Sequence, residues 1–546
     1  MQWIFEESSN MPSGIQYPAS LKEYHSKRFG LRSYLHYCAL FLCGLLATYL
    51  LFVATQRGMG ISSDSIAYIG VSEHIVTGKG LSWISGDGSL QPMTHFPPLY
   101  PLLLAVIQIT GMSSIEAAGL INLLAFGVNV IMIGWIIFRL SGSYVASILG
   151  SLLAAISPIM ISWHSMAMTE PIFITFLLLG MGLLSKYFKQ KRLILLVIVG
   201  IIFGLHYLTR YAGLSIIIAS AIAIFLSRTL NYKEKVQSIS LFLFVSITPT
   251  LLWMVRNRYV ADTFTNRRIL WHPPSVSKLK HAFAVFWKWI FPYEFTYAAL
   301  YGLIFCLLLS IVILVVYLRR TGILALKKSI HEMLGNHLLM VLIAYGMSYV
   351  FIILATMTFF DASTPMDTRI ALPLYIVFLI LVPTGLAWFY QQKKSAYRCI
   401  ITIVVGGLLS ISYIDQSYDL IGRIRFQPRG YGSETKQQFS NIDQITELPS
   451  DIVIFTNNIE GLYFQFNKYG HRTPISLDYV TAISRPQYEQ ELSQMREMLS
   501  KDEAILVLFH TQMRGFPSEW TDDLELYWQQ SGIALYAAKG FYDRFP

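Results

Sequence analysis

The chain has 546 residues, 54% of them hydrophobic and 14% charged, with a mean hydropathy of +0.50. A soluble globular domain is about one-quarter charged, so the composition excludes one and points to a polytopic α-helical membrane protein. The formal net charge of +10 does not signal a nucleic-acid partner, because the basic residues cluster at the ends of apolar segments, where the positive-inside rule accounts for them.

Residues 1–32 form a polar lead, and Lys22, Lys27, Arg28 and Arg32 hold it in the cytoplasm. Ser33–Thr55 is too long for a cleavable signal core and reads as an uncleaved anchor. Residues 56–114 form the first outer loop, around which the rest is organised. Within it, Ser63 or Asp64 caps a short helix whose apolar stripe is Ala67, Val71 and Ile75, and which ends near Gly78 and Gly80. Pro97–Ile109 is roughly 13 apolar residues and begins with Pro97, Pro98 and Pro101, so it falls short of the ~20 a span needs and dips or lies flat.

With that piece left out of the count, spans follow at Ile115–Arg139, Tyr144–Trp163, Pro171–Phe188, Leu193–Leu208, Ala212–Leu226, Val236–Val255, Thr296–Leu318, His337–Phe360, Ile370–Tyr390 and Ile400–Tyr413. This arrangement puts the clusters around Lys186–Arg192, Arg228–Lys235, Arg319–Lys328 and Lys393–Arg398 on the cytoplasmic side; counting Pro97–Ile109 as a span inverts every later loop. The expectation is about 11 spans within residues 33–414, with the N-terminus inside and the C-terminus outside. Residues 415–546 alternate short apolar runs with polar helical stretches and read as a small α/β domain on the outer side. The four cysteines lie in or beside apolar segments, with no metal or disulfide spacing.

Several ionisable groups then share the outer face. Asp64 and Glu170 are carboxylates suited to general-base work or to holding a divalent cation with His95, although either is also a plausible helix cap. Glu73 reads as facing water, and His74, His164 and His272 as interfacial polar residues. Arg210, Arg256, Arg258 and Arg369 sit at outer span ends, where charge statistics disfavour them. A lipid-linked phosphate at that interface explains such arginines, since guanidinium binds phosphate in a bidentate fork. The bland alternatives are snorkelling to headgroups and a local Asp367–Arg369 pair.

The order of motifs resembles the GT-C membrane glycosyltransferases that use polyprenyl-phosphate sugars, on the branch of the protein O-mannosyltransferases and the aminoarabinose transferase of lipid A. The residues that carry the resemblance are Asp64 and Tyr68 in D-x-x-x-Y, Gly78 and Gly80 in G-x-G, Phe96–Pro101, Thr169–Pro171, Trp253–Asn257, and Arg369 with Pro373. The resemblance implies that Asp64 activates the acceptor, that Glu170 shapes the site, and that Arg210, Arg256, Arg258 and Arg369, with Tyr68 and His95, hold the donor phosphate. It also implies a multi-pass protein of the plasma or inner membrane whose site faces outward, working on an acceptor that is a lipid, a protein or a polysaccharide. The protein O-mannosyltransferases carry Asp-Glu in this loop, whereas Ser65 follows Asp64 here. Two readings compete: a lipid or lipid-linked sugar flippase, which predicts charged or broken segments at the bilayer midplane, and a non-catalytic assembly subunit that docks through its outer tail.

Overall fold

The computed structural model describes residues 19–290, 335–392, 396–433, 445, 452–478, 480–481, 483–509, 517–530 and 532–541. The chain opens with α1 (Ala19–Ala54), then α2 (Ser63–Val76), a short antiparallel hairpin of β1 (Ser82–Ile84) and β2 (Leu90–Pro92), and α3 (Leu99–Gln108). Next come α4 (Ser114–Ser141), α5 (Tyr144–Ala155), α6 (Pro158–His164), α7 (Glu170–Gln190), α8 (Leu193–Thr209), α9 (Leu214–Leu226), α10 (Tyr232–Ala261) and α11 (Val276–Lys288). After residue 334 follow α12 (His337–Ala355), α13 (Leu372–Gln392) and α14 (Ala396–Phe426).

Among the described residues, seven helices are long and apolar enough to cross a membrane, or eight if α5 and α6, bent by 51°, count as one span. This is an integral, multi-pass membrane protein. Exposed Leu124, Ile194, Phe244, Phe351 and Ile403 suit lipid as the solvent of those faces. The expected spans 193–208 and 212–226 are helical but shorter, and the expected span Thr296–Leu318 lies outside the described residues. At 10 residues, α3 is ~15 Å long, half a hydrocarbon core, so Pro97–Ile109 forms a helix too short to cross.

Small residues let the first spans approach closely. A Cβ on Gly127 of α4 would come within 2.7 Å of the Thr48 hydroxyl on α1, and one on Gly44 within 2.8 Å of Ile131. The bend between α5 and α6 follows from Ser157-Pro158. Ser157 caps the new helix through Met160 N, and the stranded Ile156 carbonyl accepts from Ser417 Oγ of α14 at 2.6 Å.

The cap of α2 is Ser62, not Ser63 or Asp64: Ser62 and Ser65 exchange bonds in a capping box, so Asp64 in the first turn takes no part in capping. The hairpin leans on α2, where the edge of the Trp83 ring abuts Gly70. Helix α14 runs unbroken through Asp415 to Phe426, past the expected start of the C-terminal domain at residue 415.

Beyond it, β3 (Val453–Thr456), β4 (His471–Arg472), β7 (Ala504–Phe509), β8 (Leu524–Gln530) and β9 (Ile533–Ala538) form a mixed sheet ordered β4-β3-β7-β9-β8, while β5 (Leu477–Asp478) and β6 (Ile483–Ser484) pair separately. Strand β7 is buried on both faces. Ile505, Val507 and Phe509 meet α15 (Ile459–Phe466), and Ala504, Leu506 and Leu508 meet α16 (Tyr488–Ser500), as a two-residue period requires.

Gly70 supplies a test of the α2–hairpin packing. Gly70→Ala drives a methyl into the Trp83 ring, and overpacking of this kind costs about 1–3 kcal/mol. The expected outcome is a lower Tm in detergent for Gly70→Ala and recovery in a Gly70→Ala/Trp83→Leu double variant.

Candidate active site

Four helix ends converge beside α2. Asp64 lies in the first turn of α2, Glu170 opens α7, Arg210 terminates α8, and Arg369 precedes α13. Both carboxylates therefore sit at the positive ends of helix dipoles. Arg369 is the hub: its Nε donates to Glu170 Oε1 at 2.5 Å and its Nη2 meets Asp64 Oδ2 at 2.6 Å. Arg210 pairs with the same Glu170 oxygen and donates to Thr169 Oγ1 at 3.3 Å. Burial opposes the charge on Arg369, but Glu170 and then Asp64 raise its pKa well above the ordinary value.

The two acids differ in access. The Glu170 side chain is 3% exposed and that of Asp64 is 29%. Glu170 is locked under two guanidiniums, and Asp64 is the carboxylate a ligand can reach. Tyr68 lies one turn after Asp64, buried, with its ring edge-on to Phe96 and Tyr100 at 5.0 and 5.4 Å. Burial, and secondarily the charge of Asp64, raise its hydroxyl pKa well above the usual phenol value.

A second network flanks the first. Arg267 pairs with Asp361, and its Nη2 donates to His95 Nε2 at 3.1 Å. Because arginine only donates, His95 accepts at Nε2 and carries its proton on Nδ1. Burial and the Arg267 charge push His95 down to about 4, against a smaller upward pull from Asp64. Asp361 accepts from Ser363 N at 2.9 Å and Oγ at 2.6 Å.

The fold has counterparts. Residues 95–253 match the family model of dolichyl-phosphate-mannose-protein mannosyltransferase. ArnT from Cupriavidus metallidurans, in a crystal structure bound to undecaprenyl phosphate, superposes with a TM-score of 0.56 at 11% identity, over 91% of this chain and 97% of that one. The Archaeoglobus fulgidus oligosaccharyltransferase superposes with a TM-score of 0.52 at 12% identity, over 92% of this chain and 73% of that one. The chain has the GT-C fold. No curated protein sequence matches it significantly.

Within this GT-C frame, the predicted residues divide. Asp64, Glu170, Arg210 and Arg369 form one network, with Tyr68 packed beside it, and His95 belongs to the flanking one. Arg256 and Arg258 are not brought in. Arg256 donates to the carbonyls of Met93 at 2.7 Å and Leu81 at 3.2 Å, clamping the hairpin, and stacks on Trp253. Arg258 pairs at the surface with Asp262 on its own turn. Asp367 accepts from Ile370 N, leaving Arg369 to the distant acids.

Glu73 does not face open water: it accepts from Ser114 Oγ at 2.9 Å and Tyr463 Oη at 3.1 Å. His164 and His74 are buried rather than interfacial, bonded to the Met160 and Ser82 carbonyls. Among the described residues no three His, Cys, Asp or Glu are placed to share a metal ion. Asp64, Glu170 and His95 all direct acceptor atoms at guanidiniums instead, which does not suit a cation. Arg267 was missed by sequence reasoning. It lies in the loop after α10 rather than at a span end, where the argument that singled out Arg369 applies.

The state of His95 predicts a pH dependence. Folded His95 binds a proton only near pH 4, whereas an unfolded one does so near pH 6.5. Acidification through that window protonates the unfolded chain first, so this contribution to stability is full above about pH 6.5 and lost progressively toward 4. A Tm series in detergent is expected to fall across the window for the wild type and to fall less for His95→Gln. Identical slopes would show that His95 contributes nothing.

Proposed function

We propose that the protein transfers a sugar from a polyprenyl-phosphate donor to an acceptor on the outer face of the membrane, with Asp64 as the base. The observation that carries this reading is the sharing of Arg369 between a buried and an accessible carboxylate. The ArnT structure, which holds undecaprenyl phosphate on the same fold, supports the donor class.

The site is balanced before the donor arrives, two guanidiniums facing two carboxylates. A phosphodiester entering from the lipid competes with Asp64 for Arg369, while Glu170 keeps the guanidinium oriented. Asp64, released from its partner, takes the acceptor proton as the acceptor attacks the anomeric carbon. The bond from that carbon to phosphate oxygen breaks, and the electron pair leaves on the lipid phosphate. That phosphate turns from a singly charged diester toward a doubly charged monoester, so nearby guanidiniums stabilise the transition state more than the ground state. A single displacement inverts the anomeric carbon. The rival transport reading finds less support, since the ion pairs gather at helix ends rather than at mid-span.

Sugar transfer from labelled polyprenyl-phosphate sugars tests this in membranes with matched protein levels. Asp64→Asn is expected to lower kcat about a hundredfold or more, the usual worth of a general base, while retaining donor binding. Arg369→Ala is expected to weaken donor binding as well as turnover. Full activity of Asp64→Asn would remove Asp64 from the chemistry.

A further inference from the structure

The outer domain touches both halves of the Asp64–Arg369 pair. On the α2 side, Ile61, three residues before Asp64, donates to the Arg429 carbonyl at 3.0 Å, and its own carbonyl accepts from Tyr431 N at 2.9 Å. Gly430 between them has a φ of +62°, and a Cβ there would strike the Ile61 carbonyl oxygen, so the register of this clasp is specific to glycine. Arg472 N donates to the Gly86 carbonyl at 2.7 Å at the hairpin turn. On the arginine side, Ala362, in the loop that ends at Arg369, donates to the Val480 carbonyl at 2.9 Å.

The far end of α2 is held by side chains. Glu73 takes the Ser114 hydroxyl on one carboxylate oxygen and the Tyr463 hydroxyl on the other, and no lysine or arginine pairs with it among the described residues. A half-buried carboxylate satisfied only by neutral donors depends on both of them. The Tyr463 ring also meets Trp83 edge-on at 5.4 Å and stacks on Tyr469 at 5.9 Å, so the hydroxyl is aimed by packing. Burial, and then Glu73, raise the pKa of that hydroxyl, keeping it a donor.

Asp64 and Glu73 lie nine residues apart on one helix, a lever of ~13 Å at 1.5 Å per residue. We infer that Glu73 and Tyr463 are positioning residues: the Tyr463–Glu73 bond latches the outer domain onto α2 and thereby sets where Asp64 stands relative to Arg369. Neither residue touches the reacting groups. The role in turnover rests on the transferase reading, whereas the latch itself does not.

The test uses the full chain carrying Tyr463→Phe, which removes one oxygen and keeps the packed ring, with Glu73→Gln as a second variant. Hydrogen exchange over residues 62–76 and steady-state transfer are measured on the same preparations. For Tyr463→Phe, exchange over α2 is expected to quicken and kcat to fall about tenfold to a hundredfold, the scale of a small misplacement, with the donor KM within about twofold. Glu73→Gln, which keeps one acceptor oxygen, is expected to fall between Tyr463→Phe and the wild type. Unchanged exchange over α2 overturns the latch. Quickened exchange with unchanged kcat overturns the positioning role, as does a raised KM with unchanged kcat. Should the wild type transfer no lipid-linked sugar, the transferase reading fails, and the exchange measurement still decides the latch.

Discussion

One guanidinium organises the site. Arg369 comes from a loop, yet it is held by acids on two separate helices, and Glu170 is in turn shared with Arg210. A buried carboxylate without partners is strongly unfavourable, and removing one partner of a buried pair typically costs about 3–5 kcal/mol. Glu170 therefore commits α7, the end of α8 and the loop before α13 to one arrangement. Asp64 completes it from α2 but stays partly open to its surroundings. The same network both fixes the packing of helix ends and exposes a single carboxylate, which is why structure and proposed chemistry share residues here.

The flanking network makes a complementary choice. His95 is kept neutral by burial and by Arg267, so it adds no positive charge beside Asp64. Arg267 is balanced by Asp361, which is itself stabilised by Ser363. Guanidiniums on both sides of the Asp64 region are thus paired with carboxylates at rest, and the phosphate of the proposed donor would have to exchange with these to bind. Exchange of this kind favours ligands that present two or more oxygens in a plane with the fork, and it disfavours monodentate anions.

Much of this was legible in the sequence, for identifiable reasons. Apolar length located the helices and marked Pro97–Ile109 as too short to cross, because span length follows from bilayer thickness. Arg210 and Arg369 stood out because arginine at the expected outer ends of spans is disfavoured without a reason, and Asp64 and Glu170 because carboxylates there suit general-base work. The same rule could not separate Arg369 from Arg256 or Arg258. All three end spans, and only tertiary packing sends one to the acids, one to hairpin carbonyls and one to Asp262. Glu73 misled for a related reason. It lies off the apolar stripe of α2, as a solvated residue would, but the face it occupies is covered by a domain whose contacting tyrosine is 390 residues away in sequence. Periodicity reports that a face is polar, not what covers it.

That covering explains why α2 can carry a site at all. A 14-residue helix is marginal on its own, and several of its positions are serine or glycine. Its order comes from its surroundings: Ser62 and Ser65 hydroxyls set on the Met168 sulfur, Trp83 on Gly70, Ser114 and Tyr463 on Glu73. Weak intrinsic stability joined to many external ties makes the position of Asp64 a property of the assembled protein rather than of the loop. Helices α7 and α8 then supply Glu170 and Arg210, loops supply Arg369 and Arg267, and the C-terminal segment bonds both to the chain before α2 and to the loop before Arg369.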